Sequence, residues 1–340
     1  MSLKLRRKIQ AAYVCALCFA IVLNCLVSDA VYADELACAS DGYIKWIDFD
    51  VTAAAMRDAI GYDIDSYGAD VHVSHITLLA LLGAKYGGDF KRYKKADMQS
   101  LFDKLSSGIE PTELIKNTKT YEYYLEAYGA VLGGAVGEYG VKSESEDSGL
   151  AYEKRYGLKL FSPVAAGYYY NHFDDFGAAR SYGYKRSHLG HDLMGSVGTP
   201  IVAVESGYVE ACGWNQYGGW RIGIRSFDGK RYYYYAHLRR GHPYNDIYEG
   251  KIVEAGEVIG YLGMTGYSTK EDVNNIDTPH LHFGLQIIFD PSQKDGWNQI
   301  WLDMYEFTRF LEKHRAEVYY DEDAGESMSK SAIIDLSAPD

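Results

Sequence analysis

The chain has 340 residues, 35 of them Gly and 32 Tyr, and a formal net charge of −13. Hydrophobic residues make up 47% and charged residues 24%, which excludes a disordered chain, a collagen-like repeat and a multi-span membrane protein. The acidic balance argues against a nucleic-acid binder, which usually carries a basic patch or a high pI.

In chain order a leader comes first. Lys4, Arg6, Arg7 and Lys8 precede a mostly apolar run over 11–28, and Val31-Tyr32-Ala33 follows. A basic segment, an apolar segment and small residues at the −3 and −1 positions describe a secretory signal over 1–33, cleaved after Ala33. The competing reading is a single uncleaved membrane anchor, interrupted by Asn24. Both place the body of the protein outside the cytoplasm, in the cell envelope or the medium. Export also permits a Cys38–Cys212 disulfide, although spacing alone supplies no geometry for one.

Residues 41–140 read as an all-α domain. Thr52 caps TAAAMRDAI, and Ser74 caps ITLLALLGAKY, which Gly87-Gly88 ends. KADMQSLFDKL and PTELIKN form two shorter helices, and 119–133 a longer amphipathic one. The polar, charged stretch 141–150 is a linker.

A second domain, 151–318, has a different pattern. From about residue 160 short strands alternate with Gly turns, and Asp228-Gly229 between two strand-like runs signals a hairpin. Residues 300–318 read as a closing helix, and 319–340 as an acidic, disordered tail. The expected fold class is α+β: N-terminal helices, a mainly antiparallel β domain and a C-terminal helix.

Five positions in the β-rich half carry chemistry. In His188-Leu-Gly-His-Asp192, Gly190 and the following MGSVGTP oppose a helix. On an extended segment, residues 188, 190 and 192 point one way, so His188 and Asp192 converge with room left at Gly190, while His191 points away. His280 and His282 share one strand face, with Leu281 and Phe283 on the other. Imidazole and carboxylate are zinc ligands, and catalytic zinc takes three from the protein. His188, Asp192 and one of His280 and His282 would complete that set. The remaining His of the pair and His237 would then serve acid-base chemistry beside the ion. No HExxH or Gly-x-Ser-x-Gly motif is present.

Tyr233 and Tyr235 alternate onto the same face as His237, and Tyr232 and Tyr234 onto the other. One of these faces is a candidate groove wall, with ordinary strand packing as the alternative.

Taken in order, HLGHD, GTPIVAVESGYV, YYAHL, IVEAGEVIGYLGMTG and PHLHFGL resemble the lysostaphin/LytM-type zinc metallopeptidases that cut peptidoglycan peptides. The resemblance covers roughly residues 160–290. It implies one Zn2+ ion held by His188, Asp192 and His282. It further implies His280 as general base and His237 as a second catalytic residue that stabilises the oxyanion or orients the water. The implied fold is a β core of the duplicated-hybrid-motif type, and the implied partners are peptidoglycan peptides. Degenerate family members imply the alternative, a catalytically silent envelope protein that binds a partner or the wall. Nothing in the sequence assigns a role to 41–140 or sets an oligomeric state.

Overall fold

The computed structural model describes residues 42–142, 152–181 and 185–338. The segment read as a leader, Cys38 and residues 143–150 of the stretch read as a linker lie outside the described residues, and residues 141–142 of that stretch are strand. Among the described residues, no helix is long and apolar enough to cross a membrane.

Four helices come first. Helix α1 (Ala53–Ser66) starts where the Thr52 side chain accepts from Ala55 N, and α2 (His75–Tyr86) where Ser74 accepts from Ile76 N. Gly87 ends α2 with a left-handed φ of 65°. Helices α3 (Lys95–Ser106) and α4 (Thr118–Leu132) follow. The stretch beginning Pro111 forms only a 3₁₀ turn, Pro111–Leu114. Leu78, Leu79 and Leu82 of α2 and Tyr128 of α4 are almost wholly buried, because helix faces of this kind gain stability mainly from packing.

The strands are β1 (Val136–Lys142), β2 (Tyr152–Leu158), β3 (Asn171–His172), β4 (Ala179–Ser181), β5 (Lys185–Ser187), β6 (His191–Met194), β7 (Pro200–Val202), β8 (Gly207–Asn215), β9 (Gly219–Ser226), β10 (Arg231–Ala236), β11 (Ile252–Val253), β12 (Val258–Tyr261), β13 (His280–Ile287), β14 (Ile300–Trp301), β15 (Val318–Asp321), β16 (Glu326–Ser329) and β17 (Ile334–Asp335). The main sheet runs β11-β8-β9-β10-β13-β6-β3, with β14 also on β13. Its pairings are antiparallel. The β9–β10 hairpin turns at Asp228-Gly229, where Gly229 has φ 76°.

Residues 45–340 form one compact unit, so the helices and the sheet are packed together. Arg231 of β10 shows how. Its guanidinium is buried, bonds Glu205 twice at 2.8 and 3.0 Å, and donates to the Ala130 carbonyl of α4 at 2.8 Å.

The C-terminal end differs from expectation. Only α5 (Tyr305–Leu311) is helical within 300–318. The stretch read as a disordered tail instead builds β15, β16 and β17, and β17 pairs with β1. Its acidity misleads because Ile333 joins a buried cluster with Phe161, Val202 and Val258, and Asp335 meets buried Lys159 at 2.9 Å. Cys212 is half-buried on β8 and forms no disulfide among the described residues.

Candidate active site

Strands β6 and β13 are neighbours, and their register sets His282 opposite Asp192. Alternation along β13 sends Leu281 and Phe283 fully into the core and leaves His280 and His282 on the opposite face. His188 enters from the β5–β6 connection. Three donor atoms converge there. His188 Nε2 lies 3.0 Å from Asp192 Oδ1 and 2.9 Å from His282 Nδ1. His282 Nδ1 lies 3.1 Å from Asp192 Oδ1.

Behind this triangle, His188 Nδ1 donates to the Asp175 carbonyl oxygen at 3.1 Å, which aims Nε2 at the other two donors. Arg180 Nη2 donates to Asp175 Oδ2 at 2.9 Å and to Asp192 Oδ2 at 3.2 Å, leaving Asp192 Oδ1 to the triangle. Burial opposes the charged form of His188, but the Asp175 and Asp192 carboxylates outweigh it and push the imidazole up to about 9. Burial likewise opposes the Asp192 carboxylate, yet hydrogen bonds from His188 and His282 hold its carboxyl well below the ordinary range. The site therefore favours positive charge where the three donors meet. Zinc bound tetrahedrally at ~2.0–2.1 Å holds its ligands about 3.3 Å apart. Two imidazole nitrogens and a carboxylate oxygen, 2.9–3.1 Å apart, fit that ion in donor type and spacing.

Two more imidazoles stand beside the triangle. His280 Nδ1 donates to the Thr278 carbonyl at 2.8 Å, and its Nε2 lies 3.8 Å from Asp192 Oδ1. His237 Nδ1 donates to the Thr265 carbonyl at 2.8 Å. The His237 and His280 ring centroids are 4.9 Å apart. Burial, followed by the nearness of His280 and His282, holds His237 well below the ordinary imidazole value. In the neutral ring each bonded Nδ1–H leaves Nε2 with its lone pair.

Strand alternation fails at one point. Tyr233 and Tyr235, assigned the same face as His237, are fully buried in the core, while Tyr234 lines the cleft against His282. His237 reaches the cleft because β10 ends at Ala236 and His237 itself takes a left-handed φ of 62°. The cleft encloses about 280 Å³, and Arg186, Tyr217 and Tyr267 complete its walls.

Sequence reasoning did not single out Asp175, Arg180 or Thr265. Nothing in the spacing of Arg180 ties it to Asp192. His191 is fully buried on the other side, 2.7 Å from His172. His72 and His75 both bond Asp63, far from the cleft in sequence.

Residues 186–295 match Peptidase family M23. This part of the chain is an M23 peptidase domain. All five singled-out residues lie within it. Over 153 residues, 45% of this chain and 43% of the relative, the chain is 37% identical to the L-Ala–D-Glu endopeptidase of Bacillus subtilis (strain 168). Over 97 residues, 28% of this chain and 17% of the relative, it is 41% identical to lysostaphin of Staphylococcus simulans. The aligned part thus spans less than half the length of either relative. A solved LytM structure from Ruminococcus gnavus shares the fold, with a TM-score of 0.53 at 23% identity, over 82% of this chain and 94% of that one. That share is too large for the M23 domain alone, so the common fold extends beyond it.

Proposed function

We propose that this protein is a zinc-dependent endopeptidase that hydrolyses peptide bonds of bacterial peptidoglycan in the cell envelope or outside it, with a β core of the duplicated-hybrid-motif type. The convergence of His188 Nε2, Asp192 Oδ1 and His282 Nδ1 within 3.1 Å of one another carries this reading. These three residues would hold one zinc ion. When bound, zinc supplies a Lewis acid that acidifies water and polarises a carbonyl.

The chain's own residues do the rest. His280 Nε2, its lone pair exposed by the bond from Nδ1 to Thr278, takes a proton from water as the oxygen adds to the scissile carbonyl carbon. As the C–N bond breaks, that proton passes to the leaving amine. His237 is held neutral, with its Nδ1–H committed to Thr265. Its Nε2 is therefore an acceptor, which suits orienting the water and not donating to an oxyanion.

The names of two relatives, an L-Ala–D-Glu endopeptidase and a peptidoglycan DD-endopeptidase, support peptide substrates from the wall. Zymography on purified walls, with mass spectrometry of the released fragments, tests the reading. Zinc-loaded wild type should clear the wall and His282→Ala should not. No clearing by zinc-loaded wild type would favour a silent, wall-binding protein, and equal clearing by the variant would count against zinc-dependent hydrolysis at this site.

A further inference from the structure

The β4–β5 hairpin sets Arg180 directly opposite Arg186. Like charges paired across strands repel, so each needs a counter-charge. Arg180 has two, Asp175 and Asp192. Arg186 has none among the described residues, yet it lines the same cleft as the proposed metal ligands.

The guanidinium of Arg186 is fixed in place. It lies 5.1 Å from the Tyr267 ring centroid and 5.6 Å from that of Tyr217, and Nη2 donates to the Tyr267 hydroxyl. Nε is buried and has no hydrogen-bond partner among the described residues. A half-buried cation between two rings loses little entropy when it binds an anion, and guanidinium matches a carboxylate in a planar, two-pronged fit. A chain of net charge −13 thus carries at its candidate catalytic cleft a cation with no carboxylate partner among the described residues.

We propose that Arg186 binds a carboxylate of the substrate peptide. The cleft then selects acidic stem peptides over neutral oligoglycine bridges. The proposal rests on the peptidase reading for its substrate but concerns recognition, so binding and hydrolysis are measured separately.

Calorimetric titration of the full zinc-loaded chain, carrying His280→Ala to prevent turnover, uses three probes. They are a synthetic stem tetrapeptide with its D-Glu and C-terminal carboxylates, the same peptide with every carboxylate amidated, and pentaglycine amide. Hydrogen bonds to charged groups set the scale, so amidation should weaken binding about 10- to 100-fold. Arg186→Gln, added to that background, should abolish the preference, and Arg186→Lys should keep part of it. Melting and zinc uptake of each variant establish that the fold persists. With Arg186→Gln alone, the KM for the acidic peptide should rise with little change in kcat. Equal binding of acidic and amidated peptides, or equal weakening of both by Arg186→Gln, would overturn the proposal. If the carboxylate preference holds while wild type cleaves nothing, the peptidase reading fails and the assignment of Arg186 stands.

Discussion

Gly190 lies directly against His282: a Cβ placed on Gly190 would stand 2.5 Å from the imidazole Cε1 and 2.6 Å from Nε2. No real Cβ fits there, so any side chain at 190 pushes on the ring whose other nitrogen joins the donor triangle. Gly190→Ala should therefore weaken zinc binding by about 10- to 100-fold, the range seen when a ligand's orientation is lost. Competition with a chromophoric chelator measures this. Unchanged affinity in a folded variant would show that the ring can shift without cost.

A second prediction concerns the support behind His188. Asp175 Oδ2 stands 3.2 Å from His188 Nδ1 and accepts from Arg180 at 2.9 Å. Asp175→Asn keeps the backbone carbonyl that accepts from His188 but removes the charge that both neighbours face. Zinc affinity should again fall about 10- to 100-fold, and the metal-free protein should also lose some stability at neutral pH, because the carboxylate that helps raise His188 is gone. A large loss of stability without loss of affinity would make Asp175 a folding residue only.

The difference between these two residues shows what the sequence could reveal. Gly190, Asp192 and His188 sit within five residues, so strand periodicity alone turns them toward one side. His280 and His282 follow from the same rule, since Leu281 and Phe283 alternate with them into the core. His237 breaks the rule through a single left-handed φ, which periodicity does not encode, and so Tyr234 replaces Tyr233 and Tyr235 on the cleft wall. Asp175, which precedes β4, and Arg180 on β4 meet His188 and Asp192 only through side-chain contacts, which no local pattern announces. The C-terminal strands were illegible for a similar reason. The partner of β17, β1, is nearly two hundred residues earlier in the chain, and the charged, Gly-containing segment around β15 and β16, which pair with each other, does not alternate like a strand.

Arg231 gives a test of how the helices are joined to the sheet. Its guanidinium and the Glu205 carboxylate are both buried, Tyr233 also donates to Glu205 at 2.7 Å, and the remaining nitrogen reaches Ala130 of α4. Arg231→Ala strands a buried carboxylate and frees a helix-end carbonyl, which should cost about 3–5 kcal/mol in urea unfolding. Replacing both charges, Glu205→Gln with Arg231→Met, should recover much of that loss, because the stranded charge is the larger part of it. Equal destabilisation by the single and the double variant would count against this account.

The last prediction is a pH dependence. Asp63 of α1 is buried and accepts from His75 N and Nδ1 at 2.8 and 2.6 Å, and from the Tyr156 hydroxyl of β2 at 2.6 Å. Burial would raise its carboxyl, but these bonds from His75 and Tyr156 outweigh that and hold it well below the ordinary carboxylate value of 3.8. A carboxyl depressed in the folded state binds its proton more readily when unfolded. Its contribution to stability is therefore complete above the unfolded value and is lost as pH falls through and below about 3.9. Chemical unfolding of wild type should show stability falling on acidification through that window. Asp63→Asn should be less stable at neutral pH by about 3 kcal/mol, as expected when one partner of a buried pair is removed, and should show a shallower fall on acidification. If the variant and wild type lost stability in parallel below pH ~4, Asp63 would not be the group that couples the helices to the strands through its charge.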